Sequence, residues 1–196
     1  MINLILSLII GYLIGSIPTG YLIVKSKTGQ DLRTMGSGST GATNVKRVLG
    51  KKWFFIVMFL DALKGALPVV LAQIFAQDSY GLAPVIAAVA VILGHSKSCF
   101  LSFKGGKSVA SGVGTILALN WMVGLIIALV WGVITYTTKY VSVGSIIALL
   151  VSPFLMYFLG APIAYVAYCA LGAIYIVYLH RENIKRLING CENKVR

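Results

Sequence analysis

Charge is scarce in this chain of 196 residues, and acidic charge scarcest: Asp and Glu number five, and charged residues of both signs make up 11%. A soluble domain usually carries about 25%, so this chain cannot coat a water-facing surface. There are two histidines and three cysteines. Cys99, Cys169 and Cys191 are scattered without metal spacing and read as unpaired thiols. So few acids and imidazoles make neither a metal cluster nor a Ser-His-Asp triad easy to assemble, and no metal or other cofactor is expected. Hydrocarbon fills the sequence instead, with 58% apolar residues and a mean hydropathy of +0.90. A bilayer must solvate it. Seven spans of roughly 20 residues would take about 140, leaving no room for a second, soluble domain, so 1–196 is expected to be one membrane domain.

Seventeen basic residues against five acidic ones would raise the question of nucleic acid in a soluble chain. Their positions argue against it. Lys25, Lys27, Arg33, Lys46, Arg47, Lys51 and Lys52 separate the first two apolar runs. Lys97, Lys104 and Lys107 share one later loop, Lys139 sits in a very short one, and Arg181, Lys185, Arg186, Lys194 and Arg196 form the tail. These are membrane flanks.

The pattern is all-α and polytopic. The first apolar run, 4–24, has no basic residue before it and two just after it, the reverse of a signal peptide, so it is expected to stay as a span. Further spans are expected at 53–76, ended by Gln77-Asp78-Ser79, at 80–94, beginning near Tyr80, and at 141–159 and 163–179. Between 108 and 138 lie 31 uncharged residues, too many for one span and few for two, and Asn120-Trp121 divides them into 108–119 and 121–138. With seven spans and the N-terminus outside, sixteen of the seventeen Lys and Arg residues face the cytoplasm with the C-terminus, and the other, Lys64, is inside a span. The fourth span is short, which is tolerable only where its end is covered by protein or a wet cavity. Gly11-x-x-x-Gly15 and the series Gly124, Ala128, Gly132 are expected to let helices pack closely.

Every long polar loop then lies on one face, and the chemistry with it. Gly36-Ser37-Gly38-Ser39-Thr40-Gly41-Ala42-Thr43-Asn44, followed by Arg47, could turn backbone N–H groups, hydroxyls and a guanidinium toward one anion. A flexible, solvated loop is the alternative. Phe103-Lys104-Gly105-Gly106-Lys107-Ser108 opens the short fourth helix, and a helix N-terminus with two glycines and two lysines suits a phosphate. The alternative there is a basic cluster against anionic headgroups. It is not a P-loop, since Leu101 stands where that motif needs Gly. Asp61 and Lys64, at i and i+3 inside the second span, are expected to pair and face the bundle interior, as a structural pair or as part of the site. His180 ends the last span and is either dipole-compensating or catalytic. A transporter for a small phosphorylated anion is the competing class; it would open to both faces and usually shows repeats, whereas the outer loops here are minimal.

Three motifs carry a family resemblance: Gly36 to Asn44 with Arg47; Gly94-His95 through Lys104-Gly105-Gly106-Lys107; and His180-Arg181-x-Asn183-Ile184-x-Arg186-Leu187 with Gly190-x-Glu192. Gly15-Ser16-Ile17-Pro18, Asp61-x-x-Lys64-Gly65 and Tyr140-Val141-Ser142 agree as well. The whole chain resembles the bacterial acyl-phosphate:glycerol-3-phosphate acyltransferases, the PlsY family. The resemblance implies transfer of a fatty acyl group from acyl phosphate to glycerol 3-phosphate at the cytoplasmic face of the bacterial inner membrane. It implies catalytic roles for Ser37, Arg47, His180 and Asn183. Substrate-phosphate contacts would come from Thr43, Asn44, Lys104, Gly105, Gly106, Lys107 and Ser142, and support from Asp61, Lys64 and Glu192. A soluble enzyme supplying acyl phosphate is the implied partner. Neither histidine has an Asp five residues on, since Phe100 and Lys185 stand there, so the H-x-x-x-x-D pair of thioester-using acyltransferases is missing. Ser39, Ser98 and Ser108 depart from a usual Asn, Pro and Gly. Alanine at Gly105 or Gly106 is expected to act gently, crowding the backbone's approach to phosphate.

Overall fold

The computed structural model describes residues 1–76 and 81–195. The expected break at Gln77-Asp78-Ser79, the expected start of the third span at Tyr80, and Arg196 lie outside the described residues. Among the described residues regular structure is entirely helical: α1 (Ile2–Ser16), α2 (Thr19–Thr28), α3 (Ala42–Leu49), α4 (Lys51–Phe75), α5 (Leu82–Ser96), α6 (Val109–Leu119), α7 (Trp121–Thr138), α8 (Val141–Phe158), α9 (Ile163–Leu179) and α10 (Arg181–Ile188). Single 3-10 turns occur at Leu32–Thr34 and Cys99–Leu101.

Among the described residues five stretches are long and apolar enough to cross a bilayer: Ile2–Thr28, Lys51–Phe75, Leu82–Leu101, Trp121–Thr138 and Val141–Phe158. The pair α9 and α10, bent by 59°, makes a sixth if the two are one broken span. Helix α6, with 11 residues, is about 16 Å long at 1.5 Å per residue, roughly half a hydrocarbon core of about 30 Å. Five to six of the apolar runs are thus long enough to span, and α6 is a shorter apolar helix. The first is not one straight helix. Pro18 has no N–H to give and pushes the residue before it out of helical geometry. Ile17 accordingly has ψ 114°, and the span breaks between α1 and α2. Asn120 divides the long uncharged run by capping α7, its side-chain oxygen accepting from the N–H groups of Met122 and Val123.

The chain forms two compact units, Met1–Thr115 and the part from Ile116 onward. In the first, α1 packs on α5, and α4 lies against both. The α1–α5 crossing is close because small residues face each other. A Cβ on Gly15 would lie 2.5 Å from the Val91 carbonyl oxygen, and one on Gly94 would strike the Tyr12 carbonyl. The stretch between α2 and α4 is not a flexible, solvated tether. Val24, Leu32, Val45 and Val57 are fully buried together with Trp53 and Tyr21 packed against them, pinning the loop to α2, α3 and α4. In the second unit α8 packs between α7 and α9. The small-residue series on α7 holds only in part. A Cβ on Gly124 would lie 2.5 Å from the Leu117 side chain, whereas one on Gly132 would meet open space.

Candidate active site

In the first unit the glycine loop is organised by one amide. Asn44 in the first turn of α3 is 1% exposed. Its Oδ1 accepts from the Ser37 N–H at 2.9 Å, and its Nδ2 donates to the carbonyls of Met35 and Ser39, each at 2.9 Å. The side chain nominated as a phosphate contact is therefore fully occupied in shaping the loop. Gly36 has a left-handed φ of 56°, and a Cβ there would run into Asn44 Oδ1. This arrangement leaves Ser37 exposed and Thr43 half-buried. The loop's cations differ sharply. Arg33 is tied to Asp31, Nη2 to Oδ2 at 2.6 Å, and its hydrogen bonds hold the Asp31 carboxyl at about 2. Lys25 donates to the Gly29 carbonyl, and Lys27 lies over the Trp53 ring. Arg47 is exposed and has no ion-pair partner among the described residues.

The second loop leans on the end of α5. The Gly106 N–H donates to the His95 carbonyl at 3.1 Å, and Ser108 Oγ donates to the Ile92 carbonyl at 2.9 Å. A Cβ on Gly105 would strike the His95 carbonyl oxygen, and one on Gly106 would strike His95 Nε2. The gentle effect expected of alanine at these positions does not fit, because the obstruction is the protein's own helix. Ser108, where the family usually has Gly, is buried with φ 58°. That left-handed backbone accounts for a glycine preference. Ser98, at the usual Pro, donates to the Ser16 carbonyl at 2.6 Å and joins the loop to the broken span. Lys104 is exposed without an ion-pair partner among the described residues, and Lys107 is half-buried.

Beneath both loops lies a buried ionic cluster. Lys64 Nζ is 2.8 Å from Asp61 Oδ1, close enough to pair but off the axis of a hydrogen bond, since that oxygen has no hydrogen-bond partner among the described residues. It donates instead to the Ile17 carbonyl at 2.7 Å, at the break of the first span. His95 Nδ1 lies 3.8 Å from Asp61 Oδ1 and 3.1 Å from Ser111 Oγ. These groups line a small cleft with Ser16, Thr40 and Ser98. His95, Ser98 and Ser111 were not singled out as site residues. A usable signal was the Gly94-His95 pair opening the loop, with Ser108 and Ser111 one helical turn apart beyond it.

In the second unit Glu192 gathers Ser142, Asn183 and Arg186. Its Oε1 accepts from Ser142 Oγ at 2.9 Å and Asn183 Nδ2 at 2.6 Å, and its Oε2 from Arg186 Nε at 2.7 Å. Burial alone would raise this carboxyl, but the bonds from Asn183, Arg186 and Ser142 outweigh it and hold it below the usual carboxylate range. The tail is further fixed by the Val195 N–H on the Lys139 carbonyl and by Lys194 over Tyr140. His180 is 3% exposed, and its Nδ1 lies 2.8 Å from the Ile176 carbonyl. A carbonyl can only accept, so Nδ1 carries a proton. Among the described residues no group of three His, Cys, Asp or Glu could hold a metal.

Residues 5–190 match the family model for glycerol-3-phosphate acyltransferase. A glycerol-3-phosphate acyltransferase of Synechococcus sp. (strain JA-3-3Ab) is 44% identical over 94% of this chain and 90% of its own. Glycerol-3-phosphate acyltransferase 2 of Thermotoga maritima is 46% identical over 95% and 94%. The crystal structure of PlsY, an integral membrane glycerol 3-phosphate acyltransferase, in its glycerol 3-phosphate form superposes with a TM-score of 0.92 at 40% identity, covering 98% of this chain and 96% of that one. Its lysophosphatidic acid form gives a TM-score of 0.89 at 38% identity, covering 98% and 95%. The chain is an integral membrane protein of the glycerol-3-phosphate acyltransferase family.

Proposed function

We propose that this membrane-embedded glycerol-3-phosphate acyltransferase takes its acyl group from acyl phosphate. The products are 1-acyl-glycerol 3-phosphate and phosphate, in the first acylation of bacterial phospholipid synthesis. The observation that carries the reading is the contrast among the loop cations: Arg33, Lys25 and Lys27 are committed within the protein, whereas Arg47 and Lys104 are exposed without ion-pair partners among the described residues. The missing H-x-x-x-x-D pair supports a donor other than a thioester.

The chemistry asks little more. The C1 hydroxyl of glycerol 3-phosphate attacks the acyl carbon, a new C–O ester bond forms, and the bond from that carbon to the phosphate oxygen breaks. The leaving group is already good, so neither a protein nucleophile nor a metal is required. The protein's task is to hold two anions close, orient the hydroxyl and stabilise developing charge. Arg47 and Ser37 are assigned to the reacting phosphate and acyl carbonyl. Lys104 and Lys107, with the Gly105-Gly106 backbone between them, are assigned to the phosphate of the acceptor, with Thr43 beside them. Asn44 enters as the residue that shapes the first loop. Ser142 and Asn183 keep the substrate contacts that the resemblance gives them, oriented by Glu192. The departing phosphate, a base near neutrality, takes the hydroxyl proton, which suits the burial of His180. The active site faces the cytoplasm of a bacterial inner membrane, where a soluble enzyme could deliver acyl phosphate. The test is to supply purified protein with glycerol 3-phosphate and either acyl phosphate or a thioester of the same chain. Product from acyl phosphate alone is expected; comparable turnover with acyl-CoA or acyl carrier protein refutes the donor assignment.

A further inference from the structure

The second loop carries two adjacent glycines, and a segment without side chains cannot define its own position. Something it rests on must do so. We propose that His95 is the positioning residue of this loop, holding Gly105 and Gly106 at a fixed height over the end of α5, with Ser111 and Asp61 holding His95. The inference rests on the assignment of Lys104 to Lys107 as the acceptor-phosphate loop.

His95 meets the loop twice. Its carbonyl accepts the Gly106 N–H and blocks a Cβ at Gly105, and its ring blocks a Cβ at Gly106. Neither glycine has a positive φ, so their own backbones would accept alanine; only the neighbour forbids it. The ring is 7% exposed, and its other edge is held by Ser111 Oγ at 3.1 Å and faces Asp61 at 3.8 Å. Asp61 is paired with Lys64, which grips the Ile17 carbonyl at the break of the first span. The loop thus stands on a footing drawn from α1, α4, α5 and α6. Removing the imidazole lets the loop settle toward α5 and carries the Lys104 and Lys107 stems with it. A misplacement of about 1 Å costs on the order of 100-fold where binding geometry matters.

A merely structural residue would lower the amount of active enzyme and leave each KM alone. A positioning residue moves one KM. His95→Ala is expected to raise the KM for glycerol 3-phosphate about 10- to 100-fold, leaving the KM for acyl phosphate within about twofold. His95→Gln, whose amide reaches the place of ring Nε2, recovers most of the loss. The sharper test is a cycle with Gly106→Ala. Alone, that substitution drives a Cβ into the ring and raises the same KM. Combined with His95→Ala, the Cβ enters the space the ring vacates, so the double variant has a lower KM for glycerol 3-phosphate than Gly106→Ala alone. If His95→Ala does not fold, the same cycle is run with His95→Gln and Ser111→Ala, the latter raising that KM more mildly. A double variant as impaired as the product of the singles, or equal rises in both KM values, overturns the inference while the loop assignment stands. If Lys104→Ala leaves the glycerol 3-phosphate KM unchanged, the loop assignment fails and the inference with it.

Discussion

Glu192 accepts three hydrogen bonds from two helices, at 2.9, 2.6 and 2.7 Å, and the two oxygens make different predictions. Glu192→Gln keeps a carbonyl oxygen that can still receive Ser142 and Asn183. It puts an NH2 group where Oε2 met Arg186 Nε, setting donor against donor. One charge-assisted bond is lost, worth about 1.5–3 kcal/mol. Glu192→Ala loses all three and leaves the buried Asn183 amide and Ser142 hydroxyl without their acceptor, so it should cost at least about 1 kcal/mol more than Gln. The assay is reversible denaturation in detergent micelles. The pH dependence supplies an internal control. The folded Glu192 carboxyl lies below its ordinary value of 4.5, so its stabilisation is complete above that value and is lost as the pH falls through the folded value. The gap between wild type and Glu192→Gln should therefore be full near neutrality and close in acid. A gap that is absent at neutrality, or that persists unchanged in acid, refutes the claim that the ionised carboxylate docks the tail.

Further outcomes follow from the rest of the structure. Arg47→Ala and Lys104→Ala should each lower kcat/KM about 10- to 150-fold, the kinetic equivalent of about 1.5–3 kcal/mol, while Lys51→Ala, an exposed flank, stays near wild type in steady-state kinetics. Cys99 and Cys191 are exposed and Cys169 is buried. With the N-terminus outside, an impermeant thiol reagent should miss intact cells and label Cys191 in inverted vesicles; labelling of Cys191 from outside refutes that topology. Lys64→Met should destabilise by about 3–5 kcal/mol because it strands Asp61 at 2% exposure. Adding Asp61→Asn should recover much of that loss in thermal unfolding, and a strictly additive double variant would show that the pair does not couple.

The apolar segments were legible because a bilayer forces them to be long and uncharged, and Asn120 was legible because an N-cap is a local signal. The break at Pro18 was not, since a proline inside an apolar run can as readily kink a helix as end it. The first loop illustrates the larger gap. Its glycines and hydroxyls pointed to an anion nest, yet whether it was ordered depended on Val24, Leu32, Val45 and Val57 meeting from separate elements. No periodicity within 25–52 could reveal that meeting. The two loop glycines misled in a different way. Sequence supplied the reason they might face phosphate, and only packing reveals His95 on their other side.

The same packing separates residue types that composition treats alike. Asn44, Asn183 and Ser142 take their expected substrate roles from the family resemblance. Asn44 places its amide on four groups of its own loop, and Asn183 and Ser142 both donate to Glu192. An amide or hydroxyl has few hydrogen-bonding positions, so each bond made inside the fold narrows what is left for a substrate. Cations divide by the same test: Arg33 and Arg186 are held by carboxylates, whereas Arg47 on α3 and Lys104 in the second loop are exposed without ion-pair partners among the described residues. An exposed, unpaired charge does little for stability, so it can be changed without unfolding the protein. This is why the kinetic variants at Arg47 and Lys104 report on ligand binding, while those at Glu192 report first on how the tail is docked.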